Sequence, residues 1–330
     1  MSAPTLVPDR TQAMPENGIE ISVRGQWVRV PALQVRDNTI IVKGGWIKIA
    51  HIHDEEWLET EIEDPEMYAQ QLKRQGRRGL HADIFTFTQK MPASPPKYQY
   101  PMEWSSVAAI HLSGFKEWWE KLPQETRKNV RRSQKRGVTI SVQEFGEELI
   151  RGISDVNNDS PVRQRMRNAY YGKTLDEVRR DYSAFTDRSD FICAHVGDEM
   201  IGFLKLVHRG EVASILNLTT KASHSDKRPA NALVARAIEL CEAKRVSFVT
   251  YGQFNYGNKQ DSPLREFKIR NGFGEILKPK FFVPLTAWGT LCMKMKFHRG
   301  LLGILPHGMI TLGVSVRAKC YNLKQLIKPV

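Results

Sequence analysis

The sequence predicts a mixed α/β fold, in which a β-rich N-terminal region precedes a domain built on a mixed sheet. Apolar and polar residues alternate with period two over residues 19–50, which is typical of short antiparallel strands. From about residue 140 the predicted order is strand, helix, helix, three strands, helix, strand, helix, strand. The three consecutive strands form an antiparallel meander, and the helix after them favours a right-handed crossover to a parallel neighbour. A chain of 330 residues suits two domains, or one domain with a large extension.

The N-terminal region begins with a loose lead-in over residues 1–18, which lacks the apolar core of a signal peptide. After the strands, a helix is predicted over 64–78, with Asp64 as its N-cap and a proline in its first position. Residues 81–89 are a predicted strand, and the four prolines of 91–101 indicate a linker or an extended wall.

The main domain is predicted over residues 105–285, after a β-rich region that spans 19–104. A strand opens the domain, and two helical pieces follow, the second of which begins at Pro123. A strand and an amphipathic helix come next. A further helical stretch, with a loop near Gly172, is predicted over 161–189.

The second half of this domain contains the meander and the crossover. Tight turns at Gly197 and Gly210 join the three strands of the meander. The helix over 229–244 has an apolar face at spacings of three and four residues. A strand, a helix closed at Gly272 and a last strand follow, and residues 286–330 form a basic C-terminal extension.

The formal net charge of +13 is unevenly distributed. Residues 1–70 contain 6 basic and 12 acidic side chains, whereas residues 276–330 contain 9 basic side chains and no acidic one. Such an excess favours anionic partners, namely nucleic acid, nucleotides or a membrane surface that the basic extension contacts peripherally. The uncharged run 300–316 is either a buried segment or an interfacial segment on an anionic leaflet, and it is too short to span a membrane.

The cysteines and histidines predict neither a metal site nor a redox motif. None of the four cysteines lies within three residues of another, and the apolar neighbours of Cys193 and Cys241 indicate buried free thiols in a reducing cytosol. His51 and His53 form an HxH pair, but the acidic residues after them are typical of a helix start. We therefore expect a cytoplasmic protein, which the basic extension would hold peripherally at the inner face of the membrane.

Four segments resemble signature stretches of a known superfamily. They are LPQETRKNVRRSQKRGV at 122–138, IGFLKLVHR at 201–209, the strand-to-helix junction at 215–239 and SPLREFKIRNGF at 262–273. In order and spacing they resemble the GNAT superfamily of N-acyltransferases, and most of all its Fem-type branch, the aminoacyltransferases that extend peptidoglycan cross-bridges. The resemblance covers 105–285 and implies a GNAT-like acyltransferase fold there. It leaves 19–104 as either a degenerate copy of that fold or an unrelated cap.

The resemblance also implies a donor that is a co-substrate, acyl-CoA or aminoacyl-tRNA, with no bound cofactor. The donor-binding candidates are Lys227, Arg228 and Asn231, because the N–H groups and the dipole at a helix start favour an anion; the alternative is an ordinary capped helix. Acyl-CoA enzymes of the superfamily carry glycines at this point, whereas residues 227–232 contain none and include a proline. Fem-type enzymes also lack the glycines, since their donor is aminoacyl-tRNA. The departure favours that branch, an unusual donor, or no donor.

In the superfamily, the acyl group lies where the third meander strand separates from the next parallel strand. The resemblance therefore implies a site at the ends of those two strands. Tyr251, Asn217 and His224 are the catalytic candidates there, with Tyr251 or His224 as a proton relay, and Asn255 and Tyr256 are substrate-binding candidates. The alternatives are a solvated loop histidine at His224 and a core tyrosine at Tyr251.

Two lysines and a basic helix have unusual settings. Lys205 interrupts an apolar strand, so it is either paired or functional, and Lys268 lies in the last resembling segment; both are substrate-binding candidates. The basic helix over 127–136 contains no acidic residue and suits tRNA phosphates or lipid head groups, or forms a solvated face.

A basic and aromatic stretch is predicted on the acceptor side. Arg163 and Arg167 are four residues apart and would share one helix face, followed one turn later by Tyr170 and Tyr171. Such a surface suits a phosphate or carboxylate on the acceptor, or it is a solvated basic face.

The sequence supports two functional hypotheses. The first is an N-acyltransferase or aminoacyltransferase that acts on an anionic amine, such as a cell-envelope or surface-polysaccharide precursor. The second is a non-catalytic GNAT-like protein that binds an anionic ligand, tRNA or a membrane surface, and the missing glycines favour it.

Overall fold

A computed structural model describes residues 18–23, 25–57, 61–76, 80–91, 95–163, 166–255 and 262–299. The N-terminal part of the described chain consists mainly of strands. They are β1 (Ile19–Val23), β2 (Gln26–Val30), β3 (Ala32–Val35), β4 (Asn38–Lys43), β5 (Ile49–Ile52) and β6 (Ile84–Thr88). A 3₁₀ turn at Glu55–Trp57 and the helix α1 (Pro65–Gly76) lie between β5 and β6.

The remaining elements alternate strands and helices. The first group is β7 (Met102–His111), α2 (Phe115–Lys121), α3 (Gln124–Lys135), β8 (Val138–Gln143), α4 (Glu147–Asn158), β9 (Val162–Arg163), β10 (Met166–Arg167) and α5 (Leu175–Tyr182). The second group is β11 (Ser189–Val196), β12 (Glu199–Arg209), β13 (Val212–Thr220), α6 (Pro229–Ala243), β14 (Phe248–Gln253), α7 (Pro263–Arg270), β15 (Gly274–Pro284) and α8 (Ala287–Lys294). Short 3₁₀ turns occur at Thr186–Arg188, Ala222–Lys227 and Phe297–Arg299.

Within the described residues, eleven strands form one sheet in the order β3-β4-β5-β6-β15-β7-β14-β13-β12-β11-β8. The pairs β5–β6 and β13–β14 are parallel. The last strand, β15, pairs with β6 on one side and with β7 on the other. It therefore joins the β-rich N-terminal half to the C-terminal half, and the boundary expected between residues 104 and 105 falls inside β7.

The two faces of this sheet are covered differently. Helices α2, α3, α6 and α7 pack on one face of the C-terminal half, and α1 packs on the N-terminal half. On the other face lie α4 and α5, the β1–β2 hairpin and α8. Gly274 of β15, Ala109 of β7 and Thr250 of β14 are neighbours across the sheet, so they share one face. Since side chains alternate along β15, α8 and α5 both pack on this face. We call these two sides the α6 face and the α5 face.

Most predicted elements are confirmed where local chemistry specifies them. The carboxylate of Asp64 accepts a hydrogen bond of 3.0 Å from the N–H of Met67 and caps α1, and Pro229 occupies the first turn of α6. The antiparallel meander β11–β12–β13 and the parallel β14 are as predicted. The apolar run 300–316 lies outside the described residues.

The helix predicted from residue 161 is wrong in its first part. Strands β9 (Val162–Arg163) and β10 (Met166–Arg167) pair there instead, with Arg167 opposite Val162. The buried amide of Asn168 donates 2.8 Å to the carbonyl of Asn157 and 3.1 Å to that of Ser160, so it stabilises a turn. Because neighbouring residues of a strand point to opposite sides, Arg163 and Arg167 do not share a face.

Candidate active site

Strands β13 and β14 separate soon after they begin. They pair through Val212–Ser214 and Phe248–Thr250 alone. Lys205 of β12 pairs with Asn217 and Leu206 pairs with Ile215, so Leu216 is the extra residue of a β-bulge. An irregularity between Thr250 and Gln253 bends β14 away, and Gly252 adopts the φ of +55° that this bend requires. The sheet therefore opens between the two strands.

A cleft of about 400 Å³ lies on the α5 face, beside the bulge. The exposed side chain of Leu216 forms part of its wall. The β1–β2 hairpin, β4, β5 with the turn after it, and α5 with the residues after it contribute the rest: Glu20, Ile21, Ser22, Trp27, Ile41, Lys43, His51, His53, Asp54, Arg180, Asp181, Ser183, Ala184 and Phe185. The cleft thus combines basic, acidic and aromatic groups above the opening of the sheet.

Burial shifts the protonation of several groups in this cleft. It lowers the pKa of His51 to about 4, and the nearby charge of Lys43 adds to the shift, so this imidazole is neutral at physiological pH. Burial also raises the pKa of Asp54 and lowers that of Lys43. All three shifts favour the uncharged form, so the cleft disfavours an added positive charge.

A buried ion pair links the β1–β2 hairpin to the α5 region beside the cleft. Lys173 and Asp181 form a salt bridge in which their side chains are 11% and 2% exposed. The indole of Trp27 donates 2.9 Å to Asp181, and Lys173 donates 2.6 Å to the carbonyl of Gly25. Gly25 lies between β1 and β2, and Trp27 belongs to β2. The pair therefore joins that hairpin to α5.

Lys205 is hydrogen-bonded to the segment after α5 that forms part of the cleft wall. Its ammonium donates 2.8 Å to the carbonyl of Tyr182 and also donates to that of Ala184. Burial lowers its pKa to about 8. Of the two alternatives left open by the sequence, it is paired, and it holds the segment after α5 against β12.

Lys268 and Tyr251 lie together on the α6 face. The fully buried Lys268 donates 2.7 Å to the carbonyl of Gln253, and its Nζ lies 4.6 Å from the ring centroid of Tyr251. Burial lowers the pKa of Lys268 to about 8. This pair supports the end of β14, where the strand bends away from β13.

The three catalytic candidates are not brought together. Asn217 pairs with Lys205 and faces α5, whereas Tyr251 packs beside Phe273 on the α6 face. His224 lies 3.6 Å from the carboxylate of Glu199, at the β11–β12 turn. Asn217 and Tyr251 therefore lie on opposite faces of the sheet.

The start of α6 is occupied by side chains. Arg228 is exposed with a left-handed φ of 56°, and Asn231 donates 3.1 Å to Asn271. Lys227 lies 3.9 Å from Asp226, which also receives 2.6 Å from Arg136 at the end of α3. Exposed cations of α3 and of this junction form what we call the basic surface: Lys128, Arg131, Lys135, Arg136 and Arg228.

The acceptor-side candidates are scattered. The half-buried Arg163 donates 2.5 Å to the carbonyl of Val156, while Arg167 and Tyr171 are exposed. Tyr170 packs 6.0 Å from Tyr182, centroid to centroid.

Asn255, the substrate-binding candidate after β14, is engaged by its neighbours. It donates 2.8 Å to Glu275 and accepts 3.0 Å from Arg265. Tyr256 lies outside the described residues.

Sequence reasoning missed the contribution of the N-terminal half to the cleft. It considered His51 and His53 as metal ligands alone. The available signal was alternation, because Ile49, His51 and His53 share one face of β5 and its extension. Polar side chains on a face that a sheet buries indicate a lined cavity.

The described part of the chain contains no group of three or more His, Cys, Asp or Glu side chains that could hold a metal ion. Among its helices, none has the length and apolar character needed to cross a bilayer.

Neither a protein-family model nor a curated protein matches this sequence. Among solved structures, the chain is similar to the C-terminal domain of a protein described as a lysylphosphatidylglycerol synthetase from Agrobacterium fabrum, with a TM-score of 0.54 and 15% identity over 81% of this chain and 88% of that one. It is similar to FemX, with a TM-score of 0.53 and 10% identity over 80% and 90%. It is also similar to L-PGS from Bacillus licheniformis, with a TM-score of 0.51 and 14% identity over 81% and 86%. The chain therefore shares its fold with these structures, FemX among them, as the four sequence segments predicted.

Proposed function

We propose that this protein is an aminoacyltransferase or acyltransferase that moves an acyl group from aminoacyl-tRNA or acyl-CoA to an amine acceptor. One observation carries the proposal: β13 and β14 pair briefly and then separate, between the basic surface on the α6 face and the cleft on the α5 face. A donor that approaches from the α6 face and an acceptor in the cleft meet at this opening.

The reaction needs little from the protein beyond alignment and a neutral nucleophile. The acceptor nitrogen attacks the donor carbonyl carbon, a C–N bond forms, and the ester C–O or thioester C–S bond breaks. The proton lost by the nitrogen ends on the leaving oxygen or sulfur. The cleft favours uncharged groups, as the lowered pKa of His51 and Lys43 indicates, so an acceptor amine held there loses its proton more readily than in water.

The donor is proposed to be aminoacyl-tRNA in preference to acyl-CoA. The side chains of Lys227, Arg228 and Asn231 occupy the start of α6, where a glycine loop would admit a pyrophosphate, and Pro229 supplies no N–H. The basic surface instead suits an extended phosphate backbone. Asn217 and Tyr251, on opposite sides of the opening, are proposed to contact the acceptor and the donor respectively.

The acceptor is proposed to be an amine-bearing, anionic precursor of the cell envelope or of a surface polymer, used in the cytoplasm. One similar structure is the C-terminal domain of a protein described as a lysylphosphatidylglycerol synthetase, a name that joins an amino acid to a lipid. Arg180, which is paired with Glu20 at 2.6 Å in the cleft, is proposed to be the cation that receives such an acceptor.

The test is a transfer assay on the full chain. Charged tRNA carrying labelled amino acids, and separately acyl-CoA, are incubated with a panel of amine-bearing envelope precursors, and products are identified by mass spectrometry. We expect product from charged tRNA, with less from Asn217→Ala and an unchanged amount from the exposed control Thr139→Ala. Consumption no faster than without protein, across the whole panel, would refute the proposal.

The second candidate, a non-catalytic binder, is favoured by the separation of Tyr251, Asn217 and His224 across the site. It predicts that tRNA or vesicle binding persists in Tyr251→Phe, Asn217→Ala and His224→Ala without any turnover. Measuring binding and turnover on the same preparations separates the two candidates.

A further inference from the structure

The short helix α8 and the turn before β5 expose a group of large apolar side chains. Trp46, Leu291 and Met295 are 63%, 47% and 54% exposed. Trp46 packs edge-on against Trp288, with ring centroids 5.3 Å apart, and against Phe297, also at 5.3 Å. Trp288, Leu291 and Met295 follow one another at spacings of three and four residues and therefore share one side of α8. We call these three side chains, together with Trp46 and Phe297, the α8 patch. Exposed apolar groups that cluster in this way mark interaction sites.

The α8 patch is held rigidly from behind. A side chain at Gly289 would meet the carbonyl oxygen of Asp83 at 2.0 Å, so α8 lies directly on the sheet. Thr286 caps the helix by accepting 2.9 Å from the N–H of Gly289, and it donates 3.0 Å to Asp83. Cys292 is fully buried beneath the helix. The exposure of Leu291 and Met295 is therefore a property of a fixed helix face and not of a frayed end.

The charges around the α8 patch are positive. Lys294 and Lys296 are exposed beside Met295, and Lys48 follows the turn. Arg299 is balanced by Glu103, at 2.7 Å. No acidic residue occurs between positions 276 and 330. The patch thus combines exposed tryptophan and aliphatic side chains with a rim of lysines.

We propose that the α8 patch docks this protein on an anionic lipid surface. Tryptophan favours the boundary between acyl chains and head groups, and lysine can extend its ammonium to lipid phosphates while its stem stays in apolar surroundings. The charge complementarity favours an anionic leaflet over an ordinary protein surface. The docking does not depend on transferase activity, because the patch is separate from the cleft and the opening of the sheet.

Vesicle co-sedimentation of the full chain tests this assignment. Vesicles of phosphatidylcholine alone are compared with vesicles that also contain phosphatidylglycerol. We expect binding to the anionic vesicles to be about tenfold stronger. The variant Trp46→Ser/Leu291→Ser/Met295→Ser loses that binding, and Lys294→Glu/Lys296→Glu reduces it with a weaker dependence on salt. The control is Trp104→Ser/Leu277→Ser, which removes two exposed apolar side chains elsewhere on the sheet and leaves binding unchanged.

Three outcomes would overturn the proposal. One is vesicle binding that the triple variant leaves unchanged. The second is self-association in ultracentrifugation without lipid that the triple variant abolishes, which would assign the patch to a second copy of the chain. The third is binding to vesicles of phosphatidylcholine alone that equals binding to the vesicles that contain phosphatidylglycerol, which would remove the basis for an anionic lipid partner.

Discussion

The two sides of the β13–β14 opening are built in different ways. On the α6 face, the C-terminal half alone supplies the basic surface, from α3 and the start of α6, and the buried Lys268, from α7. On the α5 face, both halves of the chain line the cleft, and the buried pair Lys173–Asp181 of the C-terminal half is hydrogen-bonded to Gly25 and Trp27 of the β1–β2 hairpin. Substitutions of exposed charges should therefore change the basic surface without affecting the fold, whereas the cleft forms only when both halves of the chain assemble.

The largest expected effect is on the assembly of the α5 face. Lys173→Met leaves the carboxylate of Asp181 buried without its cation, which we expect to lower the free energy of unfolding by about 3–5 kcal/mol. Urea denaturation measures it. The control is Lys121→Met, which removes an exposed partner of Glu117 and should leave the midpoint in place. Equal losses in both variants would show that the two halves do not depend on the buried pair.

The next effect concerns the α6 face alone. Lys128→Glu/Lys135→Glu should weaken binding of charged tRNA roughly hundredfold at low salt, and should flatten the plot of log affinity against log salt by about 2 units. Lys73→Glu/Arg74→Glu makes the same change in charge on exposed residues of α1 and should have little effect on affinity. If both doubles weaken binding equally, net charge explains the result and the basic surface has no special role.

A smaller effect is expected from filling the cleft. Leu216→Trp puts an indole beside the bulge, and we expect transfer to the acceptor to fall about tenfold, while tRNA affinity stays constant. Leu277→Trp, an exposed leucine on the other face, is the matched control. Loss of tRNA affinity together with transfer would mean that the two faces are not separate sites.

The smallest effect is a change in the pH dependence of stability. Burial lowers the pKa of Lys268 from 10.5 to about 8. Between these values the unfolded chain binds more protons than the folded one, so this group makes the folded state more stable as pH rises from 8 towards 10.5. The difference in unfolding free energy between the wild type and Lys268→Met should therefore shift in favour of the wild type over that interval. A constant difference would show that Lys268 keeps its proton in the fold.

The order of the elements could be predicted because each depends on nearby residues. Asp64 and Pro229 mark helix starts by satisfying or avoiding N–H groups within one turn, and Gly197 and Gly210 supply the turns of the meander. The segment after Pro161 misled the prediction, because the side chain of Asn168 bonds to the carbonyls of Asn157 and Ser160. Such bonds leave no periodic signal in the sequence.

The candidate site was predicted less completely than the fold. Lys205 stood out as a cation in an apolar strand, and Lys268 was a candidate because of the segment in which it lies. Both are buried lysines that donate to carbonyls. The sequence did not indicate which face of the sheet the polar side chains near the opening take, because the direction of a side chain beyond a bulge depends on an inserted residue that no motif marks. Leu216 is that residue, and it was not a candidate.

By itself, the amino-acid sequence determined the order of strands and helices, the meander, the caps and the uneven charge of this protein. These features rest on contacts between residues close together in the chain, which periodicity and turn chemistry record. Only the tertiary structure decided that β15 joins two halves into one sheet, that residues of β4, β5 and α5 line one cleft, and that α8 presents Leu291 and Met295 outward. Those arrangements depend on which distant surfaces pack together, and the free energy of such packing is shared among many side chains, so no single stretch of sequence specifies it.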